Sequence, residues 1–262
     1  MKLAAETAGD GPAVLLVHGF PDAGRVWRHQ VGPLAEAGYR VLVPDLRGFG
    51  ASEKPEGAQH YRVTLLVDDL LELLDDHGAE RAHLVGHDWG AGICWVLAAL
   101  HPERVASLAA LSVGHPAASR PRSIESREKG WYQLLFQFEE AEELLLRDDA
   151  RLMREWLAGA PDAERSVEEL SRPGALTAGL GLYRANLHPR GELEPRSLPP
   201  VNAPVLGIWS SGDRYLTEPA MQRSEDHVTG PWRYERIEGA SHWPQLDAPD
   251  RVNRLLLEHL RS

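Results

Sequence analysis

The chain has little that would suit a secreted, membrane or nucleic-acid-binding protein. Its 262 residues include one cysteine, Cys94, which excludes a disulfide framework and a cysteine-built zinc site and indicates a reducing compartment. The 28 basic side chains are outnumbered by 39 acidic ones and form no basic block, so we expect no nucleic-acid partner. The longest apolar run, residues 93–100, is far shorter than the ~20 residues of a membrane span, and the first residues contain no apolar stretch of signal-peptide length. These features predict a cytoplasmic protein without a membrane partner.

Short apolar segments alternate with helical patterns along the chain. Strands are predicted at 13–17, 40–43, 82–85, 105–113, 204–209 and 232–237, and helices at 27–37, 64–76, 90–100 and 250–260. This alternation predicts an α/β fold with a mostly parallel central sheet flanked by helices. Residues 115–199 are helix-rich with no convincing strand, so we expect a helical lid to interrupt a core formed by residues 1–114 and 200–262.

The segment Gly86-His-Asp-Trp-Gly90 follows a predicted strand and opens a predicted helix. Its G-x-D-x-G pattern has the spacing of the G-x-S-x-G nucleophile elbow, with Asp88 in place of the serine. The glycines allow a strained turn in which the strand and the helix pack closely on either side of the central residue. The pattern is also compatible with an aspartate that only caps the helix.

Two further titratable residues follow predicted strands. Asp213 lies in the segment Ser211-Gly-Asp213, and His242 lies in Ser241-His-Trp243. The chain order Asp88, Asp213, His242 is the order nucleophile, acid, base that accompanies a nucleophile elbow. The alternative position for the acid, directly after the strand at 105–113, holds no carboxylate, which favours Asp213.

Five segments carry a resemblance to a known family. They are His18-Gly-Phe-Pro21, Asp45-Leu-Arg-Gly-Phe-Gly-Ala-Ser52, Gly86-His-Asp-Trp-Gly90, Ser211-Gly-Asp213 and Ser241-His-Trp243. Together they resemble the α/β-hydrolase superfamily and, within it, the epoxide hydrolase branch, over nearly the whole chain. The resemblance implies the α/β-hydrolase fold with a helical lid, and neither a cofactor nor a metal ion. Related chains usually begin with a strand before the segment that matches residues 3–8 here, so we expect the N-terminal edge strand to be missing or short.

The resemblance also assigns roles to the residues around Asp88. The backbone N–H groups of Phe20 and Trp89 would form an oxyanion hole. The alternative for the segment that contains Phe20 is a plain turn before a helix. Pro21, the next residue of that segment, is a candidate substrate contact.

Two tyrosines of the lid match a further feature of epoxide hydrolases, which use two lid tyrosines to donate hydrogen bonds to the epoxide oxygen. Tyr132 lies in Trp131-Tyr-Gln-Leu-Leu-Phe-Gln137, and Tyr183 lies in Leu182-Tyr-Arg-Ala-Asn186, where a leucine replaces the usual aromatic residue. The alternative is that both tyrosines only pack the lid. Trp131 is a candidate substrate contact and, in a dehalogenase, a candidate halide donor.

The resemblance implies a reaction in two steps. Asp88 would attack an epoxide carbon and form an alkyl-enzyme ester, helped by hydrogen bonds from Tyr132 and Tyr183. His242, oriented by Asp213, would then activate water and release a vicinal diol. The same motifs occur in haloalkane and haloacetate dehalogenases, so halide displacement is the alternative reaction. A non-catalytic ligand-binding protein is the third hypothesis.

The expected partner is a small-molecule epoxide, and the expected oligomeric state is a monomer or a homodimer.

Overall fold

A seven-stranded sheet forms the centre of the protein, in a computed structural model that describes residues 1–118, 123–187 and 198–261. The strands are β1 (Ala5–Ala8), β2 (Ala13–Val17), β3 (Arg40–Pro44), β4 (Ala82–His87), β5 (Val105–Leu111), β6 (Val205–Ser210) and β7 (Trp232–Ile237). Their order across the sheet is β1-β3-β2-β4-β5-β6-β7. Strand β1 is antiparallel to β3, and all other neighbouring strands are parallel. The predicted α/β fold with a mostly parallel sheet is confirmed.

The inner strands are continuous apolar runs, as expected for parallel strands covered on both faces. All residues of β2 and β6 are buried, whereas β1 is mostly exposed. Within the described chain β1 is the outermost strand and has only four residues. Strand β5 ends two residues before the predicted end at 113, because Ser112 has a φ of +67° and turns the chain away.

Helices connect the strands of the first half. They are α1 (Val31–Glu36), α2 (Val63–Asp76) and α3 (Trp89–Leu100). The prediction of a helix over 27–37 was wrong at its beginning, since Gly24–Trp27 forms a 3₁₀ turn and α1 starts at Val31. Pro33 lies in the first turn of α1, where a backbone N–H has no partner within the helix. The missing N–H of the proline therefore costs no hydrogen bond, and Pro33 favours a helix that begins just before it.

The described residues between β5 and β6 form five helices, and we refer to them together as the cap. They are α4 (Ile124–Lys129), α5 (Trp131–Leu135), α6 (Ala141–Trp156), α7 (Ala163–Leu170) and α8 (Ala175–Asn186). Helix α6 is interrupted at residues 147–150, where the backbone is not helical. The predicted lid boundaries of 115 and 199 enclose residues 119–122 and 188–197, which lie outside the described residues, so the division into core and lid stays a prediction.

Three helices follow the cap. Helix α9 (Glu218–Gln222) comes after β6, while α10 (Pro244–Asp247) and α11 (Pro249–Leu260) come after β7. Over residues 1–118, 123–187 and 198–261, no helix combines the length and the apolar character needed to cross a membrane. Because β2, β4, β6 and β7 run in the same direction, the motifs that follow them meet at one edge of the sheet.

Candidate active site

Asp88 occupies a sharp turn between β4 and α3, with φ of +52° and ψ of −122°. Such a positive φ is strained for a residue other than glycine and persists only where the surroundings enforce it. A Cβ atom on Gly90 would lie 2.1 Å from the carbonyl oxygen of Val17, and one on Gly86 would lie 2.5 Å from that of Gly90. The two glycines therefore permit the close packing of strand and helix that the turn requires.

The carboxylate of Asp88 is buried and its two oxygens have different neighbours. Oδ1 accepts a hydrogen bond of 2.9 Å from the backbone N–H of Phe20, and Oδ2 lies 3.4 Å from Nε2 of His242. The side chain makes no capping hydrogen bond to α3, so the alternative of an aspartate that only caps the helix is wrong. The carboxylate instead faces the base and a backbone donor.

The segment that carries Phe20 is held by His18. Nε2 of His18 accepts a hydrogen bond from the N–H of Leu46, and Nδ1 lies 2.9 Å from the carbonyl oxygen of Gly19. Burial lowers the pKa of His18, which keeps the ring neutral with Nδ1 as the donor. A Cβ atom on Gly19 would collide with Oδ1 of Asp88 at 2.4 Å, so glycine is needed for this close approach.

Trp89 is the first residue of α3, and its backbone nitrogen borders the same space. The nitrogen lies 2.6 Å from the position of a Cβ atom on Gly19, next to Oδ1 of Asp88. A first-turn N–H of a helix has no partner within the helix and is free to bind an anion. The role of Trp89 as a second oxyanion donor stays a prediction.

Asp213 and His242 form a buried hydrogen-bonded pair. Nδ1 of His242 donates to Oδ2 of Asp213 at 2.7 Å. Oδ1 of Asp213 accepts the backbone N–H groups of Tyr215 and Leu216 at 2.8 and 3.0 Å, so both oxygens of the carboxylate are satisfied. The structure thus brings together the three residues that the sequence predicted as nucleophile, acid and base.

The backbone of His242 is also fixed from two sides. Its carbonyl oxygen accepts hydrogen bonds of 2.8 Å from Oγ of Ser112 and from Nε2 of His87. Burial lowers the pKa of His87 to about 3, and His242 adds to the effect, so His87 is a neutral structural donor. These two bonds fix the backbone of His242 at the edge of the sheet and so restrict the position of its imidazole.

The charges of the site favour an imidazolium at rest. Burial alone would lower the pKa of His242, but the carboxylates of Asp213 and Asp88 outweigh it and raise the pKa to about 10. For Asp213 burial alone would raise the pKa, yet the charge and hydrogen bond of His242 and two backbone N–H groups lower it. The resting site therefore holds a positive histidine between two carboxylates.

Tyr132 on α5 and Tyr183 on α8 lie in the cap above Asp88. Both side chains are buried, and their ring centroids are 6.0 Å apart. Burial raises the pKa of each phenol, and the negative charge of Asp88 raises it further. Each hydroxyl group therefore keeps its proton and can act as a hydrogen-bond donor towards the space above the carboxylate.

Arg184 fixes Tyr183 by joining three cap helices. Its Nε donates to the carbonyl oxygen of Phe136 and its Nη2 to that of Phe138, at 2.9 and 2.8 Å. Its guanidinium also makes a two-pronged ion pair with Glu142, with both N–O distances at 2.7 Å. The arginine that follows Tyr183 in the motif thus ties α8 to the end of α5 and the start of α6.

Aromatic rings surround the two tyrosines. The cluster consists of Phe20, Tyr132, Phe136, Trp156, Tyr183 and Tyr215, with neighbouring centroids 4.9–6.0 Å apart. Edge-to-face contacts dominate, the arrangement that the charge distribution of aromatic rings prefers. The wall around Asp88 is therefore apolar, apart from the hydroxyl groups and the indole N–H.

The two predicted substrate contacts lie outside this cluster. Trp131 is 46% exposed, and no ring contact of Trp131 occurs among residues 1–118, 123–187 and 198–261. Pro21 is buried and lines a cleft of about 480 Å³ between the core and the cap, together with Phe49 and Leu170. Neither Asp88 nor His242 lines that cleft. Substrate contact by Trp131 and Pro21 stays a prediction.

A comparison with known proteins identifies the family. The family described as alpha/beta hydrolase fold matches residues 12–249, which is most of the chain. The chain belongs to the α/β-hydrolase family.

Relatives of this α/β-hydrolase include named epoxide hydrolases. Epoxide hydrolase A of Mycobacterium tuberculosis is 37% identical over 308 aligned positions, which cover 99% of this chain and 94% of the relative. The structure of Epoxide Hydrolase A from Mycobacterium thermoresistibile matches with a TM-score of 0.86 and 34% identity, covering 99% and 95% of the two chains. A variant of an epoxide hydrolase from Bacillus megaterium, solved with its product (R)-3-[1]naphthyloxy-propane-1,2-diol, matches with a TM-score of 0.89 and 28% identity over 99% and 97%. The α/β-hydrolase therefore lies in the epoxide hydrolase branch.

Sequence reasoning missed two residues that the structure of the α/β-hydrolase places at the site. Asp22 is buried, and its Oδ2 accepts a hydrogen bond of 2.8 Å from Nε1 of Trp243, next to His242. Burial raises the pKa of Asp22 to about 7, with a smaller contribution from Asp88 in the same direction. Its position directly after the His18-Gly-Phe-Pro21 segment was the signal that could have found it.

The second missed residue is Lys129, at the end of α4. Its Nζ donates to the backbone carbonyl oxygens of Asp213 and Leu216. No local pattern in the sequence of the α/β-hydrolase indicates this contact, because it joins the cap to a loop 84 residues away.

Proposed function

We propose that this α/β-hydrolase is an epoxide hydrolase that converts an epoxide to a vicinal diol, with Asp88, His242 and Asp213 as its catalytic triad. The proposal depends on one observation above all. An aspartate in the strained turn of the elbow lies between the His242 imidazole and a backbone donor, below two buried cap tyrosines. A carboxylate nucleophile suits displacement at a saturated carbon, and buried O–H donors suit an oxygen leaving group.

In the first step Oδ2 of Asp88 attacks an epoxide carbon. A carbon–oxygen ester bond forms, and the bond between that carbon and the ring oxygen breaks. Tyr132 and Tyr183 donate hydrogen bonds to the ring oxygen as it takes up negative charge. Oδ1 of Asp88 stays on the N–H of Phe20, so the two carboxylate oxygens have separate tasks.

The proton needed by the alkoxide has a source within the site. His242 is protonated in the free enzyme, since two carboxylates raise its pKa to about 10. Once Asp88 is an ester it is neutral, and its contribution to this pKa is lost. His242 then gives up the proton that the alkoxide gains, and the proton balance of the step closes.

In the second step neutral His242 removes a proton from water, and the hydroxide attacks the carbonyl carbon of the ester. Asp213 stabilises the imidazolium that forms, while the N–H groups of Phe20 and Trp89 hold the oxyanion. The bond from this carbon to the diol oxygen breaks, and the diol takes the proton of His242. Asp88, now a carboxylic acid, passes its proton to His242, which restores the carboxylate and the imidazolium of the free enzyme.

A paired assay tests the proposal against the dehalogenase alternative. The purified protein is incubated with one terminal epoxide and, separately, with one haloalkane, and diol and halide are quantified. We expect diol from the epoxide and no halide release, and we expect diol formation to be lost in Asp88→Asn. Halide release without diol would contradict the proposal and favour the dehalogenase, while neither product would favour a ligand-binding protein.

We further propose a cytoplasmic protein, monomeric or homodimeric, whose partner is a small epoxide and neither a nucleic acid nor a membrane. The acidic surplus and the single buried thiol of Cys94 support this proposal. Size-exclusion chromatography with light scattering measures the oligomeric state directly, and a larger assembly would contradict it.

A further inference from the structure

The loop that carries Asp213 is bonded to the cap on its outer side. We call residues 213–216, between β6 and α9, the acid loop. Nζ of Lys129, the last residue of α4, donates to the carbonyl oxygen of Asp213 at 2.8 Å and to that of Leu216 at 2.9 Å. One ammonium group therefore spans both ends of the acid loop.

Two hydrogen bonds run in the opposite direction, from the acid loop to the cap. The hydroxyl group of Tyr215 donates to the carbonyl oxygen of Trp156 at 3.0 Å, and the guanidinium of Arg214 donates to that of Ala158. Trp156 is the last residue of α6. The acid loop is thus held between the end of α4 and the end of α6.

The inner side of the acid loop sets the orientation of the Asp213 carboxylate. The N–H groups of Tyr215 and Leu216 bind Oδ1, and this leaves Oδ2 directed at Nδ1 of His242. Asp213 and Leu216 are the residues whose carbonyl oxygens Lys129 binds on the outer side. A shift of these carbonyl groups therefore moves the donors that aim the carboxylate.

Within the part of the chain that the structure describes, the other two triad residues have no such hydrogen bond to the cap. Over the described residues, the hydrogen bonds of Asp88 lead to Phe20, Gly92 and Leu111, and those of His242 lead to Asp213, Ser112 and His87. All of these partners belong to the part of the chain outside the cap. The acid is therefore the triad member whose position depends on where the cap sits.

We propose that Lys129 is a positioning residue that holds the acid loop against the cap and so keeps Asp213 on His242 during hydrolysis of the alkyl-enzyme. This inference rests on the proposed epoxide hydrolase function. Hydrogen bonds from a charged donor are stronger than neutral ones, and two of them converge here on one group. Lys129 also forms an ion pair with Glu125, one turn earlier in α4, but at 3.8 Å this contact is longer than either hydrogen bond to the acid loop.

The two half-reactions depend on this contact to different degrees. Formation of the ester requires Asp88, the cap tyrosines and a proton from His242, but no base. Hydrolysis requires His242 as a base, correctly oriented by Asp213. Loss of the Lys129 contacts is therefore expected to slow hydrolysis much more than ester formation.

The experiment compares Lys129→Met, Lys129→Arg and Lys54→Met. Only three lysines occur in the chain, and Lys54 is a matched control because its Nζ also donates to two backbone carbonyl oxygens, of Gly50 and Ser52. Each variant is mixed with a terminal epoxide, and the reaction is quenched at intervals. Intact-protein mass spectrometry then measures the fraction of alkyl-enzyme, and the diol is quantified in parallel. Circular dichroism and melting temperature confirm that each variant is folded.

We expect hydrolysis by Lys129→Met to fall about tenfold or more, the loss that one to two charge-assisted hydrogen bonds would produce, with ester formation within about threefold of the original. Alkyl-enzyme then accumulates. Lys129→Arg, which keeps a charged donor, should recover most of the rate, and Lys54→Met should behave as the unchanged protein in both steps.

The pH dependence of hydrolysis separates positioning from general weakening of the fold. Five titratable groups surround His242. They are Asp213 on the acid loop, Asp88 at the elbow, His87 on β4, Tyr215 through a ring contact, and Asp22 on the far side of Trp243. The substitution removes the hold on Asp213 together with one positive charge, and loss of the charge alone would raise the pKa of His242. A weaker hydrogen bond between Asp213 and His242 instead lowers the pKa of His242. In Lys129→Met the rise of the hydrolysis rate with pH should therefore occur at lower pH.

Each outcome bears on one proposal. If the unchanged protein forms neither alkyl-enzyme nor diol, the proposed function fails. If it forms both and Lys129→Met slows the two steps equally, leaves the pH profile in place, or matches Lys54→Met, the function stands and the positioning role of Lys129 is refuted.

Discussion

The backbone N–H of Phe20 donates a hydrogen bond of 2.9 Å to Oδ1 of Asp88, so a predicted oxyanion donor already binds the resting nucleophile. The bond distinguishes the two carboxylate oxygens before substrate arrives. Oδ1 is held where negative charge reappears when water attacks the ester, while Oδ2 is left to form the new bond. The donor needs no rearrangement between the two steps, and preorganised donors of this kind are an efficient means of lowering a barrier.

Replacement of His242 by glutamine should stop the reaction after its first step. The His242→Gln variant has no group that can take a proton from water, whereas Asp88 keeps its carboxylate and the alkoxide takes its proton from solvent in place of His242. We expect a stoichiometric alkyl-enzyme, detected as a mass increase equal to that of the epoxide, and loss of steady-state diol formation. A variant that turns over without accumulating the adduct would show that another group is the base.

The hydroxyl groups of Tyr132 and Tyr183 should each contribute to ester formation. In Tyr132→Phe or Tyr183→Phe one donor to the ring oxygen is lost, and the rate of adduct formation should fall about 10²-fold, as for other donors to a developing oxyanion. The double variant should form almost no adduct. Rapid-quench mass spectrometry measures this step directly. Unchanged rates in both single variants would mean that the tyrosines only pack the cap.

Two glycines of α3 should respond to alanine in opposite ways. In Gly90→Ala the new Cβ would lie 2.1 Å from the carbonyl oxygen of Val17, so we expect a loss of about 1–3 kcal/mol in the free energy of unfolding, and lower activity. In Gly92→Ala the Cβ meets nothing within 4 Å, so alanine should stabilise the helix by about 0.5–1 kcal/mol. Urea denaturation measures both, and equal effects would argue against the close packing at the elbow.

The buried carboxyl group of Asp22 should give the folding free energy a specific pH dependence. Its pKa of about 7 lies above its ordinary value, so between about pH 4 and pH 7 the folded chain binds a proton that the unfolded chain has lost. This contribution to stability is complete at low pH and disappears as the pH rises through 7, with an upper limit of about 4 kcal/mol. Asp22→Asn removes the titration, so its stability relative to the unchanged protein should improve from pH 5 to pH 8.

Urea unfolding at the two pH values tests the role of Asp22, with exposed Asp226→Asn as the control. The control should follow the unchanged protein at both pH values. Parallel behaviour of Asp22→Asn and the control would show that the carboxyl group does not titrate in this window.

Local patterns in the sequence were sufficient for six of the seven strands and for the elbow, whereas β1, which is mostly exposed and has no apolar run, was not predicted. Strands β2 and β7 lie where the apolar segments predicted them, at 13–17 and 232–237. Asp88 follows β4 as the glycine spacing indicated, because the turn depends on residues that are neighbours in the chain. The start of α1 was less well predicted. Trp27 is buried in a 3₁₀ turn and lies four residues before Val31, so the two apolar residues have the spacing of a helix although the helix begins only at Val31.

By itself, the sequence determined the fold, the residue at the elbow and the order of the acid and the base, because each follows from side chains close together in the chain. Only the tertiary structure decided that Lys129 reaches the acid loop, that Arg184 ties Tyr183 to α5 and α6, and that Asp22 is buried beside Trp243. These contacts join segments tens to hundreds of residues apart. Hydrogen-bond partners, burial and the resulting pKa values depend on how such segments pack, which no local pattern of residues specifies.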